Sequence, residues 1–314
     1  MKIVFFGSDD FAVTNLKRLL SSDQQVVACV TQPDRPKGRH LKLTPSPVKA
    51  LAVQHKVSVL EPTNLKDKDF LEQLKGFNAD LFVVIAYGRI LPEAVLILPK
   101  LFCINIHGSL LPKYRGAAPI NWAIINGDQT TGVTAIKMNT GMDAGEIIAQ
   151  EKISIEPDDN SVTLRVKMAD LSAEFLIRVI NTLVEGQYSL NKQNEKDVSY
   201  AAKLDRKLGL IDWNKKAADI YNLVRGLQPW PCAYTFFNNK MLKILNSEVQ
   251  DQKSGVASPG EVVGISKEGI SVATLDGLLL LKEVHLQDSK PMDAVSFVAG
   301  HKLETGFLFG SSKS

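Results

Sequence analysis

The chain has 314 residues, of which 45% are hydrophobic and 23% charged, and its net charge at pH 7 is +3. This is the composition of an ordinary globular protein, and the length allows two domains. Cys29, Cys103 and Cys232 are far apart and lack CxxC spacing, which excludes a disulfide framework and a cysteine zinc site. The net charge is too small to identify a nucleic-acid-binding protein without a local concentration of basic residues.

The N-terminal segment has one lysine before a short apolar run that ends at Gly7, Ser8 and Asp9. It therefore lacks the long apolar region of a signal peptide, and no later segment approaches the length of a membrane span. We expect a cytoplasmic protein that does not contact a membrane.

Short apolar runs alternate with amphipathic patterns in the first third of the chain. The predicted strands are residues 2–6, 25–31, 57–60, 80–86 and 101–107, and the predicted helices are residues 11–20, 47–56 and 66–75. This alternation is typical of βαβ units, so the sequence predicts an α/β fold built on a parallel sheet.

Residues 31–49 form the most basic stretch, TQPDRPKGRHLKLTPSPVK. Its basic residues are Arg35, Lys37, Arg39, Lys42 and Lys49, and its one acidic residue is Asp34. Four prolines and one glycine predict a loop. A solvated surface loop and a flexible arm that contacts phosphates are both compatible with this pattern.

The predicted strand at 101–107 ends in polar residues that are suited to catalysis. Asn105 and His107 are alternate residues of one strand, so both point to the same side, at the sheet edge where α/β proteins bind ligands. The segment 139–145, NTGMDAG, follows a predicted strand at 131–138 and precedes another at 146–155. Its two glycines allow a tight turn that exposes Asp143. An amide, an imidazole and a carboxylate suffice for acyl transfer.

The second half of the chain has a different pattern. A long amphipathic helix at 161–185 is predicted to close the first domain, and the polar residues 187–197 are predicted to belong to a linker. A helix at 215–226 and short strands at 233–237, 241–246, 261–265, 270–275 and 278–284 follow. They predict a small β-barrel, for which an oligonucleotide-binding type is one candidate. The predicted domains are residues 1–186 and 206–314, with a linker at 187–205.

Other features favour structural roles. Gly7 begins no GxGxxG motif, so a dinucleotide site is not predicted. For Trp213, Trp230, Tyr221 and Tyr234, core packing is favoured over base stacking. The histidines outside the 105–107 segment show no metal-ligand spacing, and we predict no metal.

Residues 109–120, SLLPKYRGAAPI, with Asn105 and His107 before them and Asp143 after them, resemble the folate-dependent formyltransferases. Within that family, the basic stretch, VIAYGRILP at 84–92, IDW at 211–213 and PWP at 229–231 resemble the branch that acts on methionyl-tRNA. The resemblance covers essentially the whole chain. It implies a Rossmann-like formyltransferase domain followed by a small OB-like β-barrel domain that binds tRNA.

The resemblance also implies the substrates and their contacts. The formyl donor is 10-formyltetrahydrofolate, the acceptor is the α-amino group of methionyl initiator tRNA, and the product serves translation initiation. Asn105, His107 and Asp143 are the implied catalytic residues. The implied folate contacts are Ser109, Leu110, Leu111, Pro112, Ile85, Tyr87, Gly88, Ile90, Leu91 and Gly141, largely through backbone groups. The implied tRNA contacts are Arg35, Lys37, Arg39 and Lys42. We expect a monomer.

Three alternatives stay open at this point. A formyltetrahydrofolate hydrolase or dehydrogenase domain shares the same trio but delivers the formyl group to water, and another formyltransferase acts on a sugar amine. Neither explains the basic stretch or the PWP-containing barrel. A catalytically silent tRNA-binding protein leaves the arrangement of Asn105, His107 and Asp143 unexplained.

Overall fold

The computed structural model describes residues 1–37, 42–250 and 257–310. These residues form two compact units. The first contains Met1–Pro119, Thr130–Ser154 and Arg165–Ala202, and the second contains Ile120–Gln129, Ile155–Leu164 and the described residues from Lys203 onward. The domain bounds derived from the sequence stay a prediction.

The first unit is built on a seven-stranded sheet. The strands up to residue 201 are β1 (Lys2–Phe6), β2 (Gln25–Val30), β3 (Arg35–Lys37), β4 (Lys42–Thr44), β5 (Ser58–Leu60), β6 (Leu81–Val84), β7 (Phe102–His107), β8 (Arg115–Gly116), β9 (Thr130–Lys137), β10 (Glu146–Ser154) and β11 (Tyr200–Ala201). The sheet has the order β10-β9-β7-β6-β1-β2-β5. It is parallel from β7 to β5, while β9 and β10 are antiparallel to their neighbours. The predicted α/β fold is confirmed.

Helices lie between or after these strands along the chain. Up to residue 184 they are α1 (Asp10–Leu20), α2 (Pro47–Gln54), α3 (Lys68–Gly76), α4 (Glu93–Leu96), α5 (Pro119–Ile125) and α6 (Ser161–Val184). The helices predicted at 11–20, 47–56, 66–75 and 161–185 agree with these bounds within two residues. The sequence did not predict α4 and α5, because each is at most two turns long and has little hydrophobic periodicity.

Continuous apolar strands explain why β7 lies inside the sheet. Both β1 and β6 are almost entirely buried, and Phe6, Phe82 and Tyr87 pack their rings together on one face. Strands that are covered on both faces are continuously apolar, as in parallel α/β sheets. Because β7 pairs with β6 on one side and β9 on the other, its carboxyl end has a fixed position within the unit.

The basic stretch is not wholly a loop, contrary to the prediction. Arg35–Lys37 and Lys42–Thr44 pair as an antiparallel hairpin, with Lys37 opposite Lys42 in register, and we call these two strands the basic hairpin. Pro36 lies opposite Leu43 in this two-stranded ribbon, and proline is tolerated in strands that lie at a sheet edge. The prolines of the basic stretch are therefore compatible with strands. The sequence pattern alone did not indicate these strands.

The polar segment predicted as a linker belongs to the first unit up to Ala202. Asn191 bridges Ile147 of β10 through two backbone hydrogen bonds of 2.8 and 2.9 Å. Strand β11 then pairs in parallel with β8. Besides the ring contact of Tyr188 with Phe102, backbone hydrogen bonds attach this segment to the unit, which explains why it needs few apolar residues.

The second unit contains the predicted antiparallel β-barrel. Its later elements are α7 (Ala217–Gly226), β12 (Ala233–Phe237), β13 (Lys240–Gln250), β14 (Val262–Ser266), β15 (Gly269–Ala273), β16 (Leu278–Leu286), β17 (Met292–Asp293) and α8 (Ala294–His301). The sheet order is β12-β13-β16-β15-β14, with β17 on β16. The chain near Leu308 bridges Glu261 beside β14, and Gly310 bridges Phe236 of β12, so the C-terminal segment closes the sheet.

Two tryptophans of this unit differ in environment. Trp213 lies in the core, stacks on Phe309 and donates its indole N–H to Thr235 Oγ1 at 3.2 Å, so core packing is confirmed for it. Trp230 is 49% exposed, so core packing is wrong for that residue. It lies in the turn at 227–231 between α7 and β12, before the alternation that directs every second side chain of β12 into the core begins.

The three cysteines are buried free thiols. Burial raises the pKa of Cys29 to about 12 and also raises the pKa values of Cys103 and Cys232. A thiol reacts through its thiolate, which a raised pKa makes scarce at neutral pH. We expect Ellman's reagent at about pH 8 to label Cys29 and Cys103 only after denaturation. Rapid labelling of either thiol in the folded protein would contradict their burial.

Within the described parts of the chain, none of the helices is both long enough and apolar enough to cross a membrane.

Candidate functional site

Three predicted side chains meet at the carboxyl end of β7. Asn105 Nδ2 donates to Asp143 Oδ1 at 3.3 Å, and His107 Nδ1 lies 3.6 Å from the same oxygen. The Asp143 side chain is 17% exposed, so it is partly shielded while one edge remains accessible. The structure therefore brings together an amide donor, an imidazole and a carboxylate, as the alternating pattern of β7 and the glycine turn predicted.

The tautomer of His107 follows from its second contact. Its Nε2 lies 2.9 Å from the Tyr114 carbonyl oxygen, which can only accept a hydrogen bond. Nε2 therefore carries a proton in both the neutral and the charged ring. The neutral and charged rings therefore differ only at Nδ1, the nitrogen that faces Asp143. At 3.6 Å the Nδ1–Oδ1 contact is electrostatic and not a hydrogen bond.

The carboxylate of Asp143 has two oxygens with different partners. Oδ2 accepts the backbone N–H of Gly116 at 2.9 Å, whereas Oδ1 faces Asn105 and His107. One oxygen is thus anchored to β8 and the other is presented to the site. The contribution of the Gly116 backbone could not be predicted from the sequence, because any residue type except proline supplies an N–H.

Local turn chemistry shapes the Asp143 loop between β9 and β10. Asn139 Oδ1 accepts the N–H of Gly141 at 2.9 Å, and its Nδ2 donates to the Ala144 carbonyl at 3.2 Å. Asp143 itself has a φ of +51°, a left-handed conformation that aspartate tolerates better than most residues. The asparagine thus closes the turn that presents the carboxylate.

Gly145 is required for this turn because its backbone passes close to β9. A Cβ added there would lie 1.9 Å from the Lys137 carbonyl oxygen. We expect Gly145→Ala to lower the free energy of unfolding by roughly 1–3 kcal/mol, as overpacking does, and to lower activity by displacing Asp143. Urea unfolding measures the first effect. Gly76→Ala is the control, because no atom lies within 4 Å of the added Cβ and stability should stay equal or rise by up to ~1 kcal/mol.

Buried side chains of the sheet hold the 109–112 turn. Thr134 Oγ1 donates to the Ser109 carbonyl at 2.6 Å and accepts the Leu111 N–H at 3.0 Å. Gln150 Nε2 donates to the Leu111 carbonyl at 2.8 Å. Thr134 is a polar residue within the buried run 131–136, a signal from which a structural role could have been inferred.

The predicted folate-contact residues have different exposures. Ile85, Tyr87, Leu91, Ser109 and Leu111 are buried, and the Ser109 hydroxyl donates to the Lys113 carbonyl at 2.6 Å. Gly88, Ile90 and Gly141 are exposed, and Leu110 and Pro112 are half-buried. The buried residues would therefore contact folate through their backbone atoms, whereas Ile90 can contact it through its side chain.

One cavity of about 360 Å³ adjoins both predicted binding stretches. It is lined by Gln32, Pro33, Asp34, Arg35, Thr63 and Arg89. Gln32 Nε2 donates to the Tyr87 carbonyl at 2.7 Å, which ties the 85–91 segment to the base of the basic hairpin. The two stretches therefore border a common space within the first unit.

Of the predicted tRNA contacts, only Arg35 has a described side chain, which donates to Gln32 Oε1. Lys37 and Lys42 are described through their backbone pairing, and Arg39 lies outside the described residues. Lys49 of the same stretch pairs with Asp34 Oδ1 at 2.9 Å and Glu61 Oε2 at 2.7 Å, and these partners raise its pKa. Two carboxylates beside one ammonium indicate a structural role for Lys49.

Among residues 1–37, 42–250 and 257–310, no cluster of three or more His, Cys, Asp or Glu side chains could hold a metal ion.

Comparison with protein families identifies the class that this fold and site define. Residues 1–180 match the family model described as formyl transferase, and residues 203–302 match the model of the formyl transferase C-terminal domain. The class is therefore that of the formyl transferases.

Relatives along the full length define the particular family. The chain is 43% identical over 310 residues to a methionyl-tRNA formyltransferase of Clostridioides difficile, covering 99% of this chain and 100% of that protein. It is 45% identical over 309 residues to the methionyl-tRNA formyltransferase of Caldanaerobacter subterraneus, with 98% and 99% coverage. The chain belongs to the methionyl-tRNA formyltransferase family.

Solved structures support the fold. An N-formyltransferase from Helicobacter canadensis, in complex with folinic acid and dTDP-3-aminofucose, superposes with a TM-score of 0.66 at 19% identity, covering 93% of this chain and 100% of that one. The phosphoribosylglycinamide formyltransferase of Bacillus halodurans gives a TM-score of 0.51 at 26% identity, over 59% of this chain and 95% of that one.

Proposed function

We propose that this protein transfers the formyl group of 10-formyltetrahydrofolate to the α-amino group of methionyl initiator tRNA and so supplies formylmethionyl-tRNA for translation initiation. The observation that carries the proposal is the 40–45% identity to methionyl-tRNA formyltransferases along nearly the whole chain, through both units. The convergence of Asn105, His107 and Asp143 supports it independently, because this set can promote attack on a formyl carbon.

The acceptor amine needs little activation. An α-amino group has an ordinary pKa of roughly 8, so much of it is already the free base near neutral pH. Its lone pair forms the new C–N bond at the formyl carbon, and the bond between that carbon and N10 of the folate then breaks. The protein must therefore stabilise charge and move a proton.

Asn105 and His107 are placed to stabilise the negative charge that develops on the formyl oxygen. An amide nitrogen has two N–H groups, so Asn105 can donate to this oxygen while its other N–H points to Asp143. Because Nε2 of His107 is committed to Tyr114, the donor that it offers is Nδ1–H of the charged ring. Two donors aimed at one developing oxyanion form an oxyanion hole.

Asp143 accepts the proton that the attacking nitrogen loses, directly or through a water molecule. Its Oδ1 faces the site, while its anchored Oδ2 prevents rotation of the carboxylate. As the C–N10 bond breaks, Asp143 passes this proton to N10, directly or through a water molecule, so the transfer occurs without net change in charge.

We propose that the folate lies against the 109–112 turn, the 85–91 segment and Gly141. Exposed Ile90 offers an apolar surface for a flat heterocycle, and backbone groups of the two segments offer hydrogen bonds. The cavity lined by Arg35 and Arg89 borders both the basic hairpin and the 85–91 segment, which supports a reaction that joins a folate to the acceptor end of a tRNA.

The basic stretch at 31–49 is proposed to bind tRNA phosphates through Arg35, Lys37, Arg39 and Lys42. We expect Arg39→Ala to raise KM for methionyl-tRNA and to lower the slope of log affinity against log salt by roughly 1, as the loss of one phosphate contact does. Filter binding over a salt series measures this effect. Lys66→Ala, a change of an exposed lysine in a different loop, should leave the slope unchanged. An unchanged slope in Arg39→Ala would remove this residue from the interface.

The acceptor can be tested directly against the two alternative enzymes. Tetrahydrofolate release is followed with methionyl initiator tRNA, with dTDP-3-aminofucose, and with neither. The proposal predicts release that requires the charged tRNA. Release with the amino sugar would indicate a sugar formyltransferase, and release without any acceptor would indicate a hydrolase. Binding of tRNA without release under any condition would indicate a silent binding protein.

We propose that the protein acts in the cytoplasm, because a role in translation initiation requires access to charged initiator tRNA. We further propose that it acts as a monomer, because all three catalytic side chains come from one compact unit of one chain.

A further inference from the structure

The segment after α6 touches the catalytic loop through one side chain. Gln193 Nε2 donates to the Asp143 carbonyl at 2.7 Å and to the Gly145 carbonyl at 2.8 Å. We propose that Gln193, oriented by Arg115, is a positioning residue that holds Asp143 in place for formyl transfer. This inference rests on the proposed function and extends it to Gln193, which lies outside the motifs of the sequence analysis.

The two hydrogen bonds span the sharpest part of the turn. Asp143 has a left-handed φ of +51°, and Gly145 lies against the backbone of β9. An aspartate in this conformation is less stable than in an extended one, so contacts from outside the loop are needed to hold it. Gln193 supplies these contacts by binding the carbonyls on both sides of Ala144.

Arg115 fixes which way the Gln193 amide points. Its Nε and Nη2 donate to Gln193 Oε1 at 3.0 and 2.8 Å. A guanidinium group has donors but no acceptor, so the amide oxygen must face Arg115 and the NH₂ group must face the loop. The Arg115 side chain is 4% exposed, and Glu195 Oε1 pairs with its Nη2 at 2.8 Å. The orientation of Gln193 is therefore set by a buried charged group and not by solvent.

Strand β8, which contains Arg115, also holds the carboxylate of Asp143. Arg115 and Gly116 form β8, which pairs with Tyr200 and Ala201 of β11. The Gly116 N–H donates to Asp143 Oδ2 at 2.9 Å. Residues 193–201 thus hold the backbone of Asp143 through Gln193 and its carboxylate through β8. A displacement of about 1 Å at a catalytic group can cost on the order of 100-fold in rate.

The matched pair Gln193→Ala and Asn194→Ala tests this role. Both remove an amide from neighbouring residues, but Asn194 contacts Asp197 and the Lys196 N–H and not the Asp143 loop. We expect Gln193→Ala to lower the single-turnover rate by roughly 10- to 100-fold, with tRNA affinity and Tm close to wild type. Asn194→Ala should keep the wild-type rate.

Gln193→Glu tests whether Gln193 acts through its hydrogen bonds to the Asp143 loop or only through those that it accepts from Arg115. A carboxylate at 193 accepts the Arg115 hydrogen bonds but has no N–H for the two carbonyls, which it would repel. We expect its rate to fall as far as that of Gln193→Ala while the protein stays folded. This variant decides the question if Gln193→Ala does not fold.

A double-mutant cycle with Asp143→Asn asks whether Gln193 acts through Asp143. If it does, adding Gln193→Ala to Asp143→Asn changes the single-turnover rate by less than about twofold, whereas independent residues would have multiplicative effects. A wild-type rate in Gln193→Ala, a restored rate in Gln193→Glu, or multiplicative losses in the cycle would each overturn the inference. Wild-type protein is assayed in parallel. If it fails to transfer a formyl group, the proposed function itself is contradicted.

Discussion

Asp143→Asn is expected to lower the single-turnover rate of formyl transfer by about 100- to 10,000-fold, the range typical for loss of general acid–base catalysis. Asparagine keeps the size of the side chain, and its amide oxygen can still accept the Gly116 N–H, which lies 2.9 Å from Oδ2 in the structure. It cannot accept the proton of the attacking amine, and it removes the negative charge beside His107. Rapid-quench measurement with saturating donor and limiting methionyl-tRNA gives the rate.

Asp69→Asn is the matched control for this change. Asp69 is an exposed residue in the first turn of α3, so the substitution alters the net charge equally at a surface position. We expect it to keep the wild-type rate. Asp143→Asn should bind methionyl-tRNA with nearly normal affinity, because the tRNA contacts are assigned to the basic hairpin. Full activity of Asp143→Asn would show that another group accepts the proton.

Asn105→Ala is expected to lower the same rate by about 100- to 1000-fold, which is the usual loss when one donor of an oxyanion hole is removed. The substitution leaves His107 Nδ1 as the remaining donor from the trio and removes the amide that lies 3.3 Å from Asp143 Oδ1. Since the donor matters most when charge develops, kcat should fall more than KM rises. Steady-state kinetics with both substrates varied measures the two constants.

Asn64→Ala provides the comparison for the loss of an asparagine side chain. Asn64 is exposed, and its side-chain oxygen accepts the Lys66 N–H at 3.0 Å, away from β7. Its kcat and KM should match the wild-type values. If Asn105→Ala raised KM for the folate and left kcat unchanged, Asn105 would be a binding residue and the proposed oxyanion stabilisation would be wrong.

The central sheet and the trio could be predicted because their signals are local. Apolar runs and their spacing define β1, β2, β6 and β7, and alternation along β7 places Asn105 and His107 on one side. A glycine-flanked aspartate between two predicted strands indicates an exposed carboxylate. Each of these features is carried by a short continuous stretch of the sequence.

The supports of the trio could not be predicted because they depend on distant parts of the chain. Gln193 follows Asp143 by 50 residues and lies in a polar segment with no periodicity. The Tyr114 carbonyl and Gly116 N–H are backbone groups, which carry no residue-type signal. Burial of Arg115 is likewise invisible, because arginine between Tyr114 and Gly116 looks like a surface residue until its partners on the 193–201 segment are known.

The most direct test of the account is a single-turnover assay with a labelled formyl group on the donor, in which wild type and Asp143→Asn are compared. The account predicts that wild-type protein moves the label to the amino group of methionyl initiator tRNA, and that Asp143→Asn binds this tRNA but moves the label at least about 100-fold more slowly. Label that appears as free formate at the same rate with or without tRNA would contradict the transferase. Equal rates for the two proteins would contradict the role of Asp143.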